Sequence, residues 1–206
     1  SPGKTRPSSK ILFSGGFMEA LKKKILEEGR VFPGEILKVD SFINHQIDVD
    51  LLDKIGKHIA SKFPDVTKIV TIETSGIAFA VGVSYHLGKV PVVFAKKEES
   101  AITKDDNYYA PLYSYTKKKE YQAFISKKYL SENDRVLIVD DFLAKGNAVI
   151  ALMEIIKQSN AEIVGVGIVI EKAFQSGRER ILSQGLKLES CVKIASLSDG
   201  IKFLSK

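Results

Sequence analysis

Two adjacent carboxylates, Asp140 and Asp141, end an apolar run over residues 136–139 and open a short loop with one glycine, Ala144-Lys145-Gly146-Asn147. Apolar residues at helical spacing follow, Val149, Leu152, Met153 and Ile156, in a run from about 148 to 158. The pattern reads as a buried strand, an acidic turn, a phosphate-sized loop and a helix N-terminus. Its chemistry would be twofold. Backbone N–H groups at the positive end of a helix dipole suit an anion, and paired carboxylates at a strand end accept hydrogen bonds from sugar hydroxyls. Taken alone, the stretch fits as readily an ordinary strand–turn–helix connection with a solvated Asp pair.

The elements around it must supply the rest of any site. Residues 68–72 form a buried strand that runs into Glu73-Thr74-Ser75-Gly76 and then an apolar helix over 77–87. Residues 90–95 are the next strand, ending in Lys96-Lys97, and residues 163–170 another, ending in Glu171-Lys172. A helix is expected over 19–28, with a proline-glycine turn in 31–39 after it. The mixed stretch 39–46 reads as a small strand or loop beside the main sheet. Asp50 is the expected cap of a helix over 51–63. Residues 98–116 are polar and tyrosine-rich, and a loop of that length in a compact domain is usually functional or mobile. A strand over 120–125 returns from it, and a short helix over 177–185 and a strand over 188–197 complete the chain. Continuous apolar strands alternating with helices argue for an α/β fold with a mainly parallel sheet flanked by helices on both faces. In such sheets ligands bind at the carboxyl ends of the strands, where all four polar stretches fall.

Composition narrows the partners. The chain has 206 residues, enough for one well-buried domain, and no apolar run of the roughly 18 residues that a transmembrane helix needs. A single cysteine, Cys191, excludes an internal disulfide and fits a reducing cytoplasm, and with three histidines beside it a His/Cys zinc site is not expected. The net charge of +6 overstates the basicity of the domain. Residues 1–17 carry Lys4, Arg6 and Lys10 and no acid, and their Ser/Gly/Pro-rich composition reads as a leader added for expression, with Met18 as the natural start. The remainder, 18–206, reads as a single mildly basic domain, suited to an anionic small molecule and equally to a nucleic acid.

The sequence Ile138-Val139-Asp140-Asp141-Phe142-Leu143-Ala144-Lys145-Gly146-Asn147-Ala148 resembles the signature of the type I phosphoribosyltransferases. Supporting stretches run from Met18 nearly to the C-terminus: Met18-Glu19-Ala20-Leu21-Lys22, residues 37–46, 68–78 and 90–96, and Ile168-Val169-Ile170-Glu171-Lys172. Many family members place Thr or Ser in the phosphate loop. Here those positions are Ala144 and Ala148, which is the pattern of the branch that takes xanthine.

The resemblance implies a type I phosphoribosyltransferase fold with a small N-terminal hood, about 31–48, and a flexible loop, about 98–116, that closes over the reacting centre. It implies xanthine and 5-phosphoribosyl-1-pyrophosphate as substrates, Mg²⁺ carried by the pyrophosphate with no direct protein ligand, a cytoplasmic homodimer and no nucleic-acid partner. Asp140 and Asp141 would hold the ribose hydroxyls and favour the positive charge that develops on the ring. Residues Ala144, Lys145, Gly146, Asn147 and Ala148 would cradle the 5′-phosphate. Glu73, Thr74, Ser75 and Gly76, a turn where the family often has a strained peptide, would bind pyrophosphate with Lys96. Lys172 would donate to the purine 6-oxo oxygen, Leu37 would pack on the base and Asn44 would read its 2-oxo edge. Phe142 and Phe174 are either stacking partners or core. Two alternatives remain: the same chemistry on hypoxanthine, guanine or adenine, with Lys172 arguing against adenine, and a transcription regulator that senses phosphoribosyl pyrophosphate on the same fold.

Overall fold

A computed structural model describes residues 16–99, 105–115 and 117–205. Nearly all of the expected leader lies outside the described residues, as do 100–104 and 116 within the expected flexible loop. The elements in chain order are α1 (Phe17–Glu28), β1 (Arg30–Phe32), β2 (Ile36–Lys38), α2 (Val49–Ala60), β3 (Lys68–Ile72), α3 (Gly76–Tyr85), β4 (Val92–Glu98), β5 (Asn107–Ser114), β6 (Lys119–Ser126), β7 (Arg135–Leu143), α4 (Asn147–Gln158), β8 (Glu162–Lys172), α5 (Gly177–Leu182), β9 (Leu188–Ser196) and β10 (Lys202–Phe203).

The main sheet runs β10-β9-β8-β7-β3-β4-β6-β5. Its inner strands, β9 through β4, pair parallel, and β10, β6 and β5 pair antiparallel at the two edges. Central strands such as β7 are buried on both faces, which is why Val136, Leu137, Ile138 and Val139 are all fully buried and read as one apolar run. One face packs Ile25 of α1, Ile55 of α2 and Phe79 of α3, and the other packs Leu152 and Ile156 of α4 with Ala110 and Ile125 of the β5–β6 hairpin. No helix among the described residues is long and apolar enough to cross a membrane.

From β3 the chain moves to β4 on one side, whereas from β7 it moves to β8 and β9 on the other. The order therefore reverses between β3 and β7, and a crevice opens beyond their carboxyl ends. That reversal places Glu73, Lys97, Asp140 and Lys172 around one opening.

Three local expectations are corrected. Residues 107–114 are not open loop but strand β5, paired with β6 from Asn107↔Ser126 to Ser114↔Lys119. Ala110 and Leu112 turn inward while Pro111 and Tyr113 face out, an alternation that tyrosines on the wet face conceal. The stretch 39–46 holds neither strand nor plain loop but a π-helical turn, Asp40–Asn44, which drives Phe42 and Ile43 into the core. The cap of α2 is Asp48, not Asp50: its extended backbone lets Oδ1 accept the Leu51 N–H at 3.0 Å, while Lys24 donates to its Oδ2 at 2.9 Å. Asp50 instead accepts from Lys54 at 2.7 Å, one turn on.

Candidate active site

The crevice at the strand reversal is a cleft of about 770 Å³. Its floor is the end of β7, where Asp140 is only 7% exposed. Gly76 makes that depth possible: a Cβ there would stand 2.5 Å from Thr71 Oγ1 and 2.8 Å from Asp140 Oδ1. Burial, then the Asp141 charge beside it, push the Asp140 carboxyl well above the ordinary carboxylate range, against smaller opposing pulls from its bond with the Asp141 N–H and from Lys97.

Asp141 is equally buried but faces a different set of partners. Its Oδ2 accepts from Ser75 Oγ at 2.6 Å and from Asn44 Nδ2 at 2.8 Å, and its Oδ1 accepts the Phe142 N–H at 2.7 Å. The two neighbouring acids thus part in environment. Asp140 faces the cleft, and Asp141 ties together the end of β7, the turn after β3 and the π-helical turn of the N-terminal segment.

The loop after β7 supplies the anion-binding wall. Ala144, Lys145, Gly146, Asn147 and Ala148 all line the cleft. Gly146 sits at φ +83° as the residue before α4, a conformation that glycine adopts without penalty. The first N–H groups of α4, from Asn147 onward, have no intrahelical partner and carry the positive end of the helix dipole. Lys145 Nζ lies 3.8 Å above the Tyr115 ring, joining this loop to the end of the β5–β6 hairpin. Tyr113, Ser114 and Tyr121 of that hairpin form the opposite wall.

The turn after β3 contributes Glu73 to the lining, and its Oε1 accepts the Lys97 N–H at 2.9 Å. The Glu73–Thr74 peptide is cis. Thr74 and Gly76 shape the turn, and Ser75 reaches Asp141 rather than the opening. At the end of β4 the cleft is lined by Lys97, not Lys96. Side chains alternate along a strand. Lys97 shares a face with fully buried Ala95, and Lys96 shares the other face with exposed Phe94.

At the far end, half-buried Lys172 lines the cleft and donates to the Glu35 carbonyl at 3.0 Å, in the turn between β1 and β2. Burial lowers its pKa, with an opposing pull from Glu35. Leu37 is 6% exposed, packed in the core beside Gly29, and does not line the cleft. Asn44 is engaged with Asp141. Both Phe142 and Phe174 pack against the core, and of the two Phe142 also lines the cleft. Sequence reasoning placed 98–116 over the site but missed that 107–114 is a strand, and it missed Arg180, whose Nη1 donates to Lys145 O at 2.7 Å and to Asn147 Oδ1 at 2.8 Å. The buried Ala110 and Leu112 alternate with exposed Pro111 and Tyr113, a strand signal the other tyrosines obscure, whereas nothing in the linear sequence ties position 180 to the loop.

Comparison with known proteins bears on this arrangement. Residues 46–196 match the model of the phosphoribosyl transferase domain. The chain is 51% identical over 185 residues to the xanthine phosphoribosyltransferase of Acinetobacter baumannii, covering 89% of this chain and 96% of that one. It is 51% identical to the xanthine phosphoribosyltransferase of Bacillus mycoides strain KBAB4, covering 89% and 93%. Among solved structures, the adenine phosphoribosyltransferase of Rhodothermus marinus superposes with a TM-score of 0.69 at 20% identity, over 86% of this chain and 98% of that one. The adenine phosphoribosyltransferase of Trypanosoma brucei, in complex with AMP, pyrophosphate and ribose-5-phosphate, superposes with a TM-score of 0.69 at 16% identity, over 84% and 79%. At that identity the structural likeness speaks for the fold, which is the type I phosphoribosyltransferase fold.

Proposed function

Because this chain belongs to the phosphoribosyltransferase family, we propose that it converts xanthine and 5-phosphoribosyl-1-pyrophosphate to xanthosine 5′-monophosphate and pyrophosphate, a purine-salvage step. One observation carries the reading: the strand reversal gathers Asp140, the loop 144–148, Glu73 with Lys97, and Lys172 around a single cleft. The identity to xanthine phosphoribosyltransferases supports the choice of purine.

The reaction exchanges the substituent on ribose C1 through a transition state with oxocarbenium character, so positioning and electrostatics must supply most of the rate. The N–H groups of 144–148 and the α4 dipole hold the 5′-phosphate. Asp140 faces the ribose from the cleft floor, and Asp141 sets its negative charge behind it. Glu73, Thr74, Ser75 and Gly76 form the pyrophosphate turn, and Lys97 supplies the ammonium that neutralises the leaving group. Lys172 donates to the 6-oxo oxygen of the purine, a bond that a 6-amino group cannot accept. The segment from β1 through the π-helical turn, held by the Lys172–Glu35 and Asn44–Asp141 bonds, covers the base. The β5–β6 hairpin covers the ribose and excludes water.

Among the described residues no group of three or more His, Cys, Asp or Glu stands ready to hold a metal ion. Glu73, Glu99 and Asp140 are the carboxylates that line the cleft, and Glu99 is paired with Lys119. That donor set suits a Mg²⁺ ion that takes most of its oxygen ligands from the pyrophosphate and neutralises the leaving charge there. The reading includes a homodimer, supported by exposed Val81 and Tyr85 of α3 and Phe94 of β4.

Initial rates of pyrophosphate release over a panel of purines test the assignment. Xanthine is expected to be turned over fastest, and adenine turned over as fast or faster would overturn it. DNA retention on a filter without pyrophosphate release would favour the regulator reading.

A further inference from the structure

Helix α5 lies behind the phosphate loop: residues 144–148 line the cleft, and no residue of α5 does. The two pieces meet backbone to backbone. The Gly177 N–H donates to Ala144 O at 2.9 Å, a Cβ on Gly177 would stand 2.5 Å from that same oxygen, and one on Gly146 would stand 3.1 Å from Gly177 Cα. Three residues on, Arg180 Nη1 donates to Lys145 O at 2.7 Å and to Asn147 Oδ1 at 2.8 Å.

A trans peptide is planar, with its C=O and N–H opposed. A carbonyl held toward α5 therefore aims the next N–H the opposite way. Ala144 O bonded to Gly177 turns the Lys145 N–H toward the cleft side, and Lys145 O bonded to Arg180 does the same for the Gly146 N–H. The Arg180 guanidinium bonds only uncharged oxygens here and has no ion-pair partner among the described residues, so its charge is not cancelled locally.

We propose that Arg180 is a positioning residue for phosphoribosyl transfer: it clamps the loop from behind, so that the loop's amides present to the 5′-phosphate, and backs that phosphate with an uncancelled positive charge. This rests on the transferase reading of the cleft. A loop flanked by alanines has no hydroxyl donors of its own, so amide orientation sets how well the phosphate is held. Asn147, whose side-chain oxygen is taken by Arg180, acts as part of the clamp.

The test measures pyrophosphate-release kinetics and ribose 5-phosphate binding by calorimetry for the parent, Arg180→Ala and Arg180→Lys. Loss of hydrogen bonds involving a charged donor predicts that Arg180→Ala raises the KM for phosphoribosyl pyrophosphate, and weakens ribose 5-phosphate, by about tenfold or more. The KM for xanthine and the affinity for free pyrophosphate stay within about twofold, and Arg180→Lys recovers a substantial part of the loss. A folded Arg180→Ala protein with unchanged ribose 5-phosphate affinity overturns the proposal, even if its Tm falls. A parent protein that neither binds ribose 5-phosphate nor releases pyrophosphate overturns the transferase reading itself, and the proposal with it.

Discussion

Replacing Asp141 by asparagine separates its structural from its chemical role. The carboxylate accepts three hydrogen bonds, from Ser75, Asn44 and the Phe142 N–H. Asparagine keeps the shape but offers one acceptor oxygen. Placed at the Oδ1 position, that oxygen keeps the Phe142 bond. The new NH₂ then faces Ser75, whose hydroxyl can turn to accept, and Asn44, whose amide can rotate half a turn. Three charge-assisted bonds become neutral ones at a loss of about 0.5–1 kcal/mol each. Part of that loss is returned because the charge that raises the Asp140 pKa is gone. The fold should therefore lose about 1–2 kcal/mol by urea denaturation. Catalysis should lose more, because a fixed negative charge no longer backs a ring that becomes positive. Removing one preorganised group of this kind typically costs about 10²- to 10³-fold in kcat, or about 3–4 kcal/mol of barrier. Pyrophosphate release at saturating substrates measures it. A kcat within about threefold of the parent would refute the electrostatic role.

Asp140 has its pKa raised in the folded state, so between the ordinary carboxylate range and that raised value the folded chain keeps a proton which the unfolded chain releases. Stability conferred at low pH is therefore lost as pH rises through that window, and Asp140→Asn should abolish this component of the fall. Urea midpoints from about pH 4 to about pH 8 for both proteins check it, and parallel curves contradict it. Lys172→Ala should raise the purine KM by about tenfold with the KM for phosphoribosyl pyrophosphate unchanged, and an unmoved purine KM removes Lys172 from the base site. Arg178 forks onto Glu171, which is 1% exposed and otherwise bonded to Ser190. Arg178→Ala should cost about 3 kcal/mol, the low end for a broken buried pair because the Arg178 side chain is 31% exposed. Thermal unfolding measures that cost, and a Tm within a degree of the parent would contradict it.

The architecture was legible where burial wrote it as continuous apolar runs. Strands buried on both faces, such as β3, β7 and β8, show no alternation, and their ends coincide with polar clusters. What escaped depends on contacts distant in sequence. Asp48 and Asp50 both precede the apolar run of α2 and look alike as caps. The choice is made by the backbone at Asp48 and by Lys24, which arrives from α1. The hairpin strand β5 escaped because Tyr108, Tyr109 and Tyr113 occupy both half-buried and exposed positions, so polarity does not follow the strand's period.

Within the site, the lysine pair shows how close pattern reading can come and still point the wrong side chain. Both lysines follow an apolar run, but Ala95 is the small, fully buried residue, and the period of two carries its face to Lys97. Asn44 is the opposite case. It lies 97 positions from Asp141, and no local signal joins them, yet their bond is 2.8 Å long. An amide nitrogen has two N–H donors and the same side chain has a carbonyl oxygen. One donor is committed to Asp141, leaving one donor and the oxygen for a purine edge. The contact that would read the base therefore hangs from the acid that would back the ribose. Moving the N-terminal segment must disturb Asp141, which stands behind Asp140. In the proposed reaction, purine entry beneath that segment and the charge behind the ribose would be linked through this one side chain.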